Sequence, residues 1–385
     1  MVNEIGILGA EVLRKVLSIS RNKVNNKKVI FISYTGKQYS CSPKYIFQEM
    51  RKEMPEYECL WAFDEPDKFK FLEKYGVRLL KYNSKEFVKE CRTAGYVITN
   101  VGISCWLPLS KEQLLINTWH GGGTYKRMGF SLDNMQWWEK KRVLMERKNP
   151  TVFLSSCKAA SRMVIREGMQ HKGEIIKSGM PRNDMLIKNN RSDLVKKVKE
   201  YLNIPLETKI LLYAPTFRES KEVEDYAFEY KAVQRALEKR FGGNWKILFR
   251  AHYHVMKHLN ICEKDVIDAS LYPDMQELLY VTDVLVTDYS SSVWDFSFTG
   301  KPCLLYATDL EYYQKGRDFY MDIHEWPFPL AENGQELIYN IENFDNDKYK
   351  KAVELHHRQL GSYESGHAAE EICKYIKNRE CLFRD

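Results

Sequence analysis

The sequence predicts an α/β protein built from two doubly wound parallel sheets, and three observations carry that prediction. At 385 residues the chain is too long for one small core and suits two α/β domains. Short apolar runs alternate with helical stretches along most of its length, the pattern of parallel strands joined by crossover helices. The alternation also starts afresh after a turn-rich segment, Gly179-Met180-Pro181-Arg182-Asn183-Asp184, so the chain reads as two similar halves.

Taken in order, Ile5 to Ile19 is an amphipathic helix with Ile5, Leu8, Val12, Val16 and Ile19 on one face. Arg14, Lys15, Arg21, Lys23, Lys27 and Lys28 lie within or just after it, so it either rests on an anionic leaflet or packs on the domain. Val29 to Ser33 is a compact apolar run and the first buried strand. A helix near Pro43 to Met54 follows, then strands at Cys59 to Phe63 and Val77 to Leu80. Next come a helix at Lys85 to Ala94 and strands at Tyr96 to Thr99, Leu114 to Thr118 and Val152 to Ser155. The second half supplies strands at Ile210 to Tyr213, Lys246 to Arg250, Val284 to Asp288 and Pro302 to Tyr306. The expected domains are 1–182 and 183–360, with a C-terminal helical tail at 361–385. Strand C-termini are expected to feed a cleft, where open α/β sheets bind ligands.

Composition narrows the class. A hydrophobic content of 44% and a charged content of 29% are those of a globular protein. No apolar run approaches the roughly 20 residues needed to span a bilayer, and the N-terminus lacks a secretory pattern, so a cytoplasmic protein is expected. Nine scattered cysteines without a C-x-x-C pair indicate neither a disulfide framework nor a zinc site. The net charge of +7 suits a polyanionic substrate, a membrane surface or nucleic acid. Nucleic acid is the poorest of these, because the basic residues form no single stripe with stacking aromatics. Trp137 and Trp138 beside Lys140, Lys141 and Arg142 suit a membrane interface or a packed aromatic face with a solvated basic side.

Four loops carry candidate chemistry. Thr287-Asp288 ends a strand and runs into Ser290, Ser291 and Ser292, with a helix opening at Val293. Hydroxyls and amides at a helix start make an anion site, and Asp295, inside that helix, can accept from a ribose. Trp119-His120-Gly121-Gly122-Gly123-Thr124 follows another strand, and a histidine on a glycine loop at a strand end suits a general base. A structural histidine in a tight turn is the alternative. Arg250 and His252 end a strand of the second half and suit a pyrophosphate. Thr216 and Arg218 occupy the loop after the preceding strand, where Arg218 can offset charge developing on a leaving phosphate. His254 and His258 lie close to His252, but with no carboxylate or cysteine at ligand spacing neither a metal nor a cofactor is expected.

Together these loops resemble the CDP-glycerol glycerophosphotransferase family, the teichoic-acid and capsule polyol-phosphate transferases of bacterial cell walls. The resemblance covers nearly all of the chain from Val29 onward. It rests on Ser33 to Pro43, Trp119-His120-Gly121, Gly179 to Asp184, Ala214 to Arg218, Arg250 with His252, Asp283 through Ser291, and Tyr306 to Tyr313. It implies a GT-B-type fold of two Rossmann-like domains, an acceptor-side N-terminal one and a CDP-binding C-terminal one. It also implies peripheral attachment to the inner face of the cell membrane, where a lipid-linked polymer is the acceptor.

Carried over, His120 becomes the base and His252 a second essential histidine near the donor phosphates. Ser290, Ser291 and Ser292 become the pyrophosphate cradle. Three departures stand out. Gly122-Gly123-Thr124-Tyr125-Lys126 replaces the usual Thr-Pro-Leu-Lys, Tyr253 replaces a common proline, and Ser365-Gly366 replaces Asp-Gly. The first touches the acceptor-side loop, Gly121 to Gly123. The expected reaction moves glycerol phosphate, or ribitol phosphate, from a CDP-polyol to an acceptor hydroxyl with release of CMP. A GT-B glycosyltransferase using a nucleotide sugar is the alternative. Acceptor identity, single addition versus polymerisation, and oligomeric state stay open.

Overall fold

The computed structural model describes residues 4–19, 22–216, 229–250, 266–316 and 318–381. The chain divides into two compact units: Met1–Gly121, Arg127–Asp184 and Ser362–Asp385 form one, Gly122–Lys126 and Met185–Gly361 the other. The main division falls between Asp184 and Met185, directly after the turn-rich segment. The chain also crosses into the second unit for Gly122–Lys126, and its C-terminal stretch returns to the first.

The first unit holds β1 (Asn25–Ile32), β2 (Glu58–Phe63), β3 (Arg78–Lys81), β4 (Ala94–Thr99), β5 (Leu114–Asn117), β6 (Thr151–Leu154) and β7 (Ile175–Ile176). They form one sheet in the order β3-β2-β1-β4-β5-β6-β7, and every pairing is parallel. The second unit holds β8 (Lys209–Ala214), β9 (Trp245–Phe249), β10 (Val266–Asp268), β11 (Val284–Thr287), β12 (Cys303–Tyr306) and β13 (Leu330–Ala331). Its order, β10-β9-β8-β11-β12-β13, is again all parallel. Both are Rossmann-like, of the GT-B type. The three strands that pattern reading missed, β7, β10 and β13, have two or three residues each, too few for a periodic signal.

The strands are near-continuous apolar runs because both faces of each sheet are covered. Along β1, Val29 and Phe31 face one layer and Ile30 and Ile32 the other, the period-2 alternation of a strand. Helix α1 (Glu4–Ile19) and helix α2 (Cys41–Glu53) precede and follow β1. The Val29 face is covered by Ile46, Phe47 and Met50 of α2 and by Ile372 and Ile376 from the C-terminal stretch. The Ile30 face meets Phe87, Leu107 and Leu115. In the second unit Leu211, Tyr213, Val284 and Val286 pack against Val233, Leu237, Leu337 and Ile341.

Six of the seven described cysteines that lie as free thiols are buried, as small hydrophobes are. Helix α1 does not face the protein with Leu8, Val12, Val16 and Ile19 of its predicted apolar stripe. It docks through Ile7 and Ala10 on Cys105 and Met145, and through the buried Arg14, which donates to the carbonyls of Cys105 and Leu107 and to Asn149 Oδ1.

Each strand order reverses direction once, between β1 and β4 and between β8 and β11. Open α/β sheets bind ligands beyond the carboxyl ends of the strands at such a reversal.

Candidate active site

At the first reversal, β1 ends at Ile32 and β4 at Thr99, followed by Asn100. Asn100 is fully buried. Its side-chain oxygen accepts from the Tyr34 amide at 2.8 Å, which holds Tyr34 in the left-handed region at φ 45°. Its main-chain oxygen lies 3.1 Å from His120 Nδ1. A carbonyl can only accept, so Nδ1 carries the ring hydrogen, and Nε2 is the nitrogen able to take up a proton.

His120 follows β5 through Thr118 and Trp119. Thr118 is bonded by its amide to the Thr99 carbonyl, and the Trp119 amide donates to Asn117 Oδ1 at 3.0 Å. Trp119 sits at φ 54°, a strained geometry for a bulky residue, and its ring lies 4.2 Å from the imidazole. Tyr34 presents its ring edge-on at 6.0 Å. The half-buried imidazole is therefore fixed in tautomer and in direction.

The glycines after His120 lead into the second unit. A Cβ on Gly122 would stand 2.1 Å from Trp294 Cδ1, and one on Gly123 3.0 Å from Trp294 Cε3, so the indole lies against bare backbone. Tyr125, which follows, packs on Trp326 and reaches His356 Nε2 at 3.1 Å. The neighbouring His357 meets Ser297 Oγ at 2.7 Å. Burial pushes both imidazoles down to about 4, and for His356 the proximity of His357 adds to it.

The second reversal gathers Thr216, after β8, with Asp288, after β11. The Asp288 carboxylate accepts from the Thr216 amide at 2.9 Å, from its hydroxyl at 2.5 Å, and from the Tyr289 amide at 2.6 Å. Thr287, fully buried, donates to the Ala214 carbonyl at 2.7 Å. These side chains tie two strand ends together. Beyond them Ser290 Oγ accepts from the Ser292 amide at 3.2 Å and the Ser292 hydroxyl at 3.0 Å. Ser291 stands at the N-cap of the short helix Ser292–Ser297 without a side-chain capping bond, so Ser290 is the serine that takes up a helix amide. Asp295 is buried, and its carboxylate accepts from Gln276 Nε2 at 2.9 Å. Arg250 donates to the carbonyls of Ala269 and Tyr272 at 3.2 and 2.7 Å. Arg218 and His252 lie outside the described residues.

Of the residues expected from sequence, Thr216, Thr287, Asp288 and the serines come together at one reversal, while His120 stands at the other unit's strand ends. Sequence reading missed Asn100 and Trp294. An asparagine directly after a buried strand was the available signal for the first, and nothing marked the second.

Two Rossmann-like sheets, one with a tautomer-fixed histidine and the other with a serine run beyond its strand ends, suit a nucleotide-dependent enzyme, and the fold alone does not choose the reaction. Comparison with known proteins narrows this. Residues 15–378 match CDP-Glycerol:Poly(glycerophosphate) glycerophosphotransferase, and the chain belongs to that family. It is 31% identical to the teichoic acid poly(glycerol phosphate) polymerase of Bacillus spizizenii over 91% of this chain and 92% of that protein. The polymerase of the same description from Bacillus subtilis is 31% identical over 94% of this chain, which spans only 50% of that longer protein. A solved structure of the wall teichoic acid polymerase TagF, a histidine-to-asparagine variant with CDPG, superposes with a TM-score of 0.84 at 26% identity, covering 100% of both chains. The chain is thus a transferase enzyme of the polyol-phosphate kind.

Proposed function

We propose that this protein transfers glycerol phosphate from CDP-glycerol to a hydroxyl of a lipid-linked cell-envelope glycopolymer and releases CMP. The observation that supports the proposal is the His120 Nδ1–Asn100 carbonyl contact of 3.1 Å, which puts the ring hydrogen on Nδ1 and makes Nε2 the basic nitrogen. In the proposed step His120 Nε2 takes the proton of the acceptor hydroxyl. The acceptor oxygen then bonds to the phosphorus that bears the glycerol. In line with it, the bond from that phosphorus to the bridging oxygen breaks, and the electron pair leaves with CMP.

The hydroxyls of Ser290, Ser291 and Ser292 are assigned to the donor diphosphate, and so is Arg250, on the strength of its place just after β9. Thr216, Thr287 and Asp288 hold the loops that present these groups, and Asp295 braces the short helix against Gln276. Arg218 and His252 are assigned to charge on the leaving CMP on sequence grounds alone. Glycerol is favoured because both polymerases named above are glycerol-phosphate enzymes.

The proposal sets the reaction at the inner face of the cell membrane. Among the described residues no helix is long and apolar enough to cross a bilayer. Helix α1, however, turns Leu8, Val12, Val16 and Ile19 to solvent, with Val12 63% and Ile19 82% exposed. Trp137 and Leu144, on the helix Trp137–Glu146, are exposed as well, and Lys15, Lys140 and Arg142 supply exposed positive charge. Apolar side chains flanked by cations suit the interface of an anionic leaflet.

Incubation with CDP-glycerol, CDP-ribitol and a UDP-sugar in separate reactions, each with membranes carrying acceptor, tests the donor. CMP released from CDP-glycerol is expected. Release of UDP from the sugar nucleotide, with CDP-glycerol left intact, would replace the proposal with glycosyl transfer.

A further inference from the structure

The turn Gly179 to Asp184 marks a boundary in the sequence, yet its side chains do more than reverse the chain. Arg182 is only 3% exposed. Its Nη1 donates to the main-chain carbonyl of His120 at 2.6 Å and to Cys41 Sγ at 3.4 Å. A guanidinium stripped of water is costly unless its hydrogens are satisfied, and a well-packed apolar side chain fills such a place at least as stably. The return for that cost is geometric, since the charged donor fixes one carbonyl in space.

The turn is itself clamped. Glu364 accepts from the Met180 amide at 2.9 Å and from Asn183 Nδ2 at 3.1 Å. A Cβ on Gly179, at φ +80°, would meet Glu364 Oε2 at 2.7 Å, so the carboxylate sits flush on the backbone. Asp184 accepts from the amides of Ala368 and Ala369 at 3.0 and 2.9 Å, at the start of the helix Ala368–Cys381. Arg182 is thereby anchored from the C-terminal stretch while it grips the residue that carries the imidazole.

We infer that Arg182 is a positioning residue for the transfer reaction, holding the main chain of His120 so that Nδ1 stays aimed at the Asn100 carbonyl and Nε2 at the acceptor hydroxyl through turnover. This rests on His120 being the base. Two contacts then fix the residue at both ends: Asn100 orients the ring and Arg182 orients the backbone that bears it. Errors of about 1 Å in such placement are worth on the order of 10²-fold in rate.

The test is a double-variant cycle on CMP release from CDP-glycerol with acceptor present. Arg182→Gln is expected to lower kcat by about 10- to 100-fold, with KM for CDP-glycerol and calorimetric affinity for CDP within about twofold of wild type. In a His120→Ala background the same change is expected to lower the residual rate by less than about twofold, because a positioning residue has nothing left to position. Arg182→Lys, which keeps the charge and one donor, is expected to recover part of the loss. It carries the same cycle if the glutamine variant loses its cooperative melting transition. An equal fractional loss in both backgrounds would overturn the inference, as would a raised KM at unchanged kcat. A His120→Ala protein with wild-type turnover would instead remove the base assignment, and is measured first so that the two failures are separate.

Discussion

At His120 the contact that fixes the tautomer is with a carbonyl. A carboxylate partner would stabilise the protonated ring, whereas the Asn100 carbonyl takes the Nδ1 hydrogen without adding a counter-charge. The imidazole and its glycine-rich loop were legible in the sequence, because a histidine after a short strand is a local pattern. The link of Asn100 and Arg182 to it was not, since they reach His120 from 20 and 62 residues away and no spacing rule joins them. The buried His356 and the half-buried His357 give a prediction at this scale. Burial lowers both pKa values from 6.5 to about 4, so between those values the unfolded chain binds more protons than the folded one. Stability is therefore fully present above the unfolded pKa and is lost as pH falls toward 4, at up to about 1.4 kcal/mol per pH unit for each histidine. Melting temperature is expected to drop between pH 6.5 and 4.5, and less steeply in a His356→Gln/His357→Gln protein. An identical slope in that variant would refute this account.

Among the elements, helix α1 shows where pattern reading stops. Its apolar stripe was plain at helical spacing, but periodicity says that a face is apolar and not what covers it. The helix is held by Ile7, Ala10 and Arg14, on a different face, and Leu8, Val12, Val16 and Ile19 of the predicted stripe point outward. Replacing Val12 and Val16 with glutamate should leave the fold intact, since both are exposed, and should remove binding to vesicles rich in phosphatidylglycerol. Sedimentation with such vesicles, against phosphatidylcholine controls, measures it; undiminished sedimentation of the double variant would exclude this helix as the attachment face. The serine-bearing strand end was legible for the same reason as the histidine loop. Which serine accepts the helix amide was not, because Ser290 and Ser291 differ in backbone geometry rather than in chemistry.

For the whole molecule, the repeated strand-helix alternation gave two parallel sheets, and their common strand order puts His120 and the serine run at strand carboxyl ends. Chain excursions were beyond it. The Gly122–Lys126 crossing and the return of Ser362–Asp385 to the first unit depend on contacts between residues far apart in sequence. The return makes a stability prediction. Ile372, Cys373 and Ile376 are buried in the first unit's core, and each apolar side chain of the isoleucine kind contributes about 1.5–3 kcal/mol. A chain ending at Leu360 loses an amount comparable to the about 5–15 kcal/mol that holds a typical domain together. It should lose the cooperative urea unfolding of that unit, and a truncated chain with the wild-type midpoint would count against the packing described.

The central claim is that His120 acts as the base of a CDP-glycerol transferase, and CMP release by the His120→Ala protein tests it most directly. With donor and acceptor supplied, turnover should fall by about 10²- to 10⁴-fold, the usual contribution of a positioned base, while CDP binds with wild-type affinity. Wild-type turnover by that variant would contradict the account.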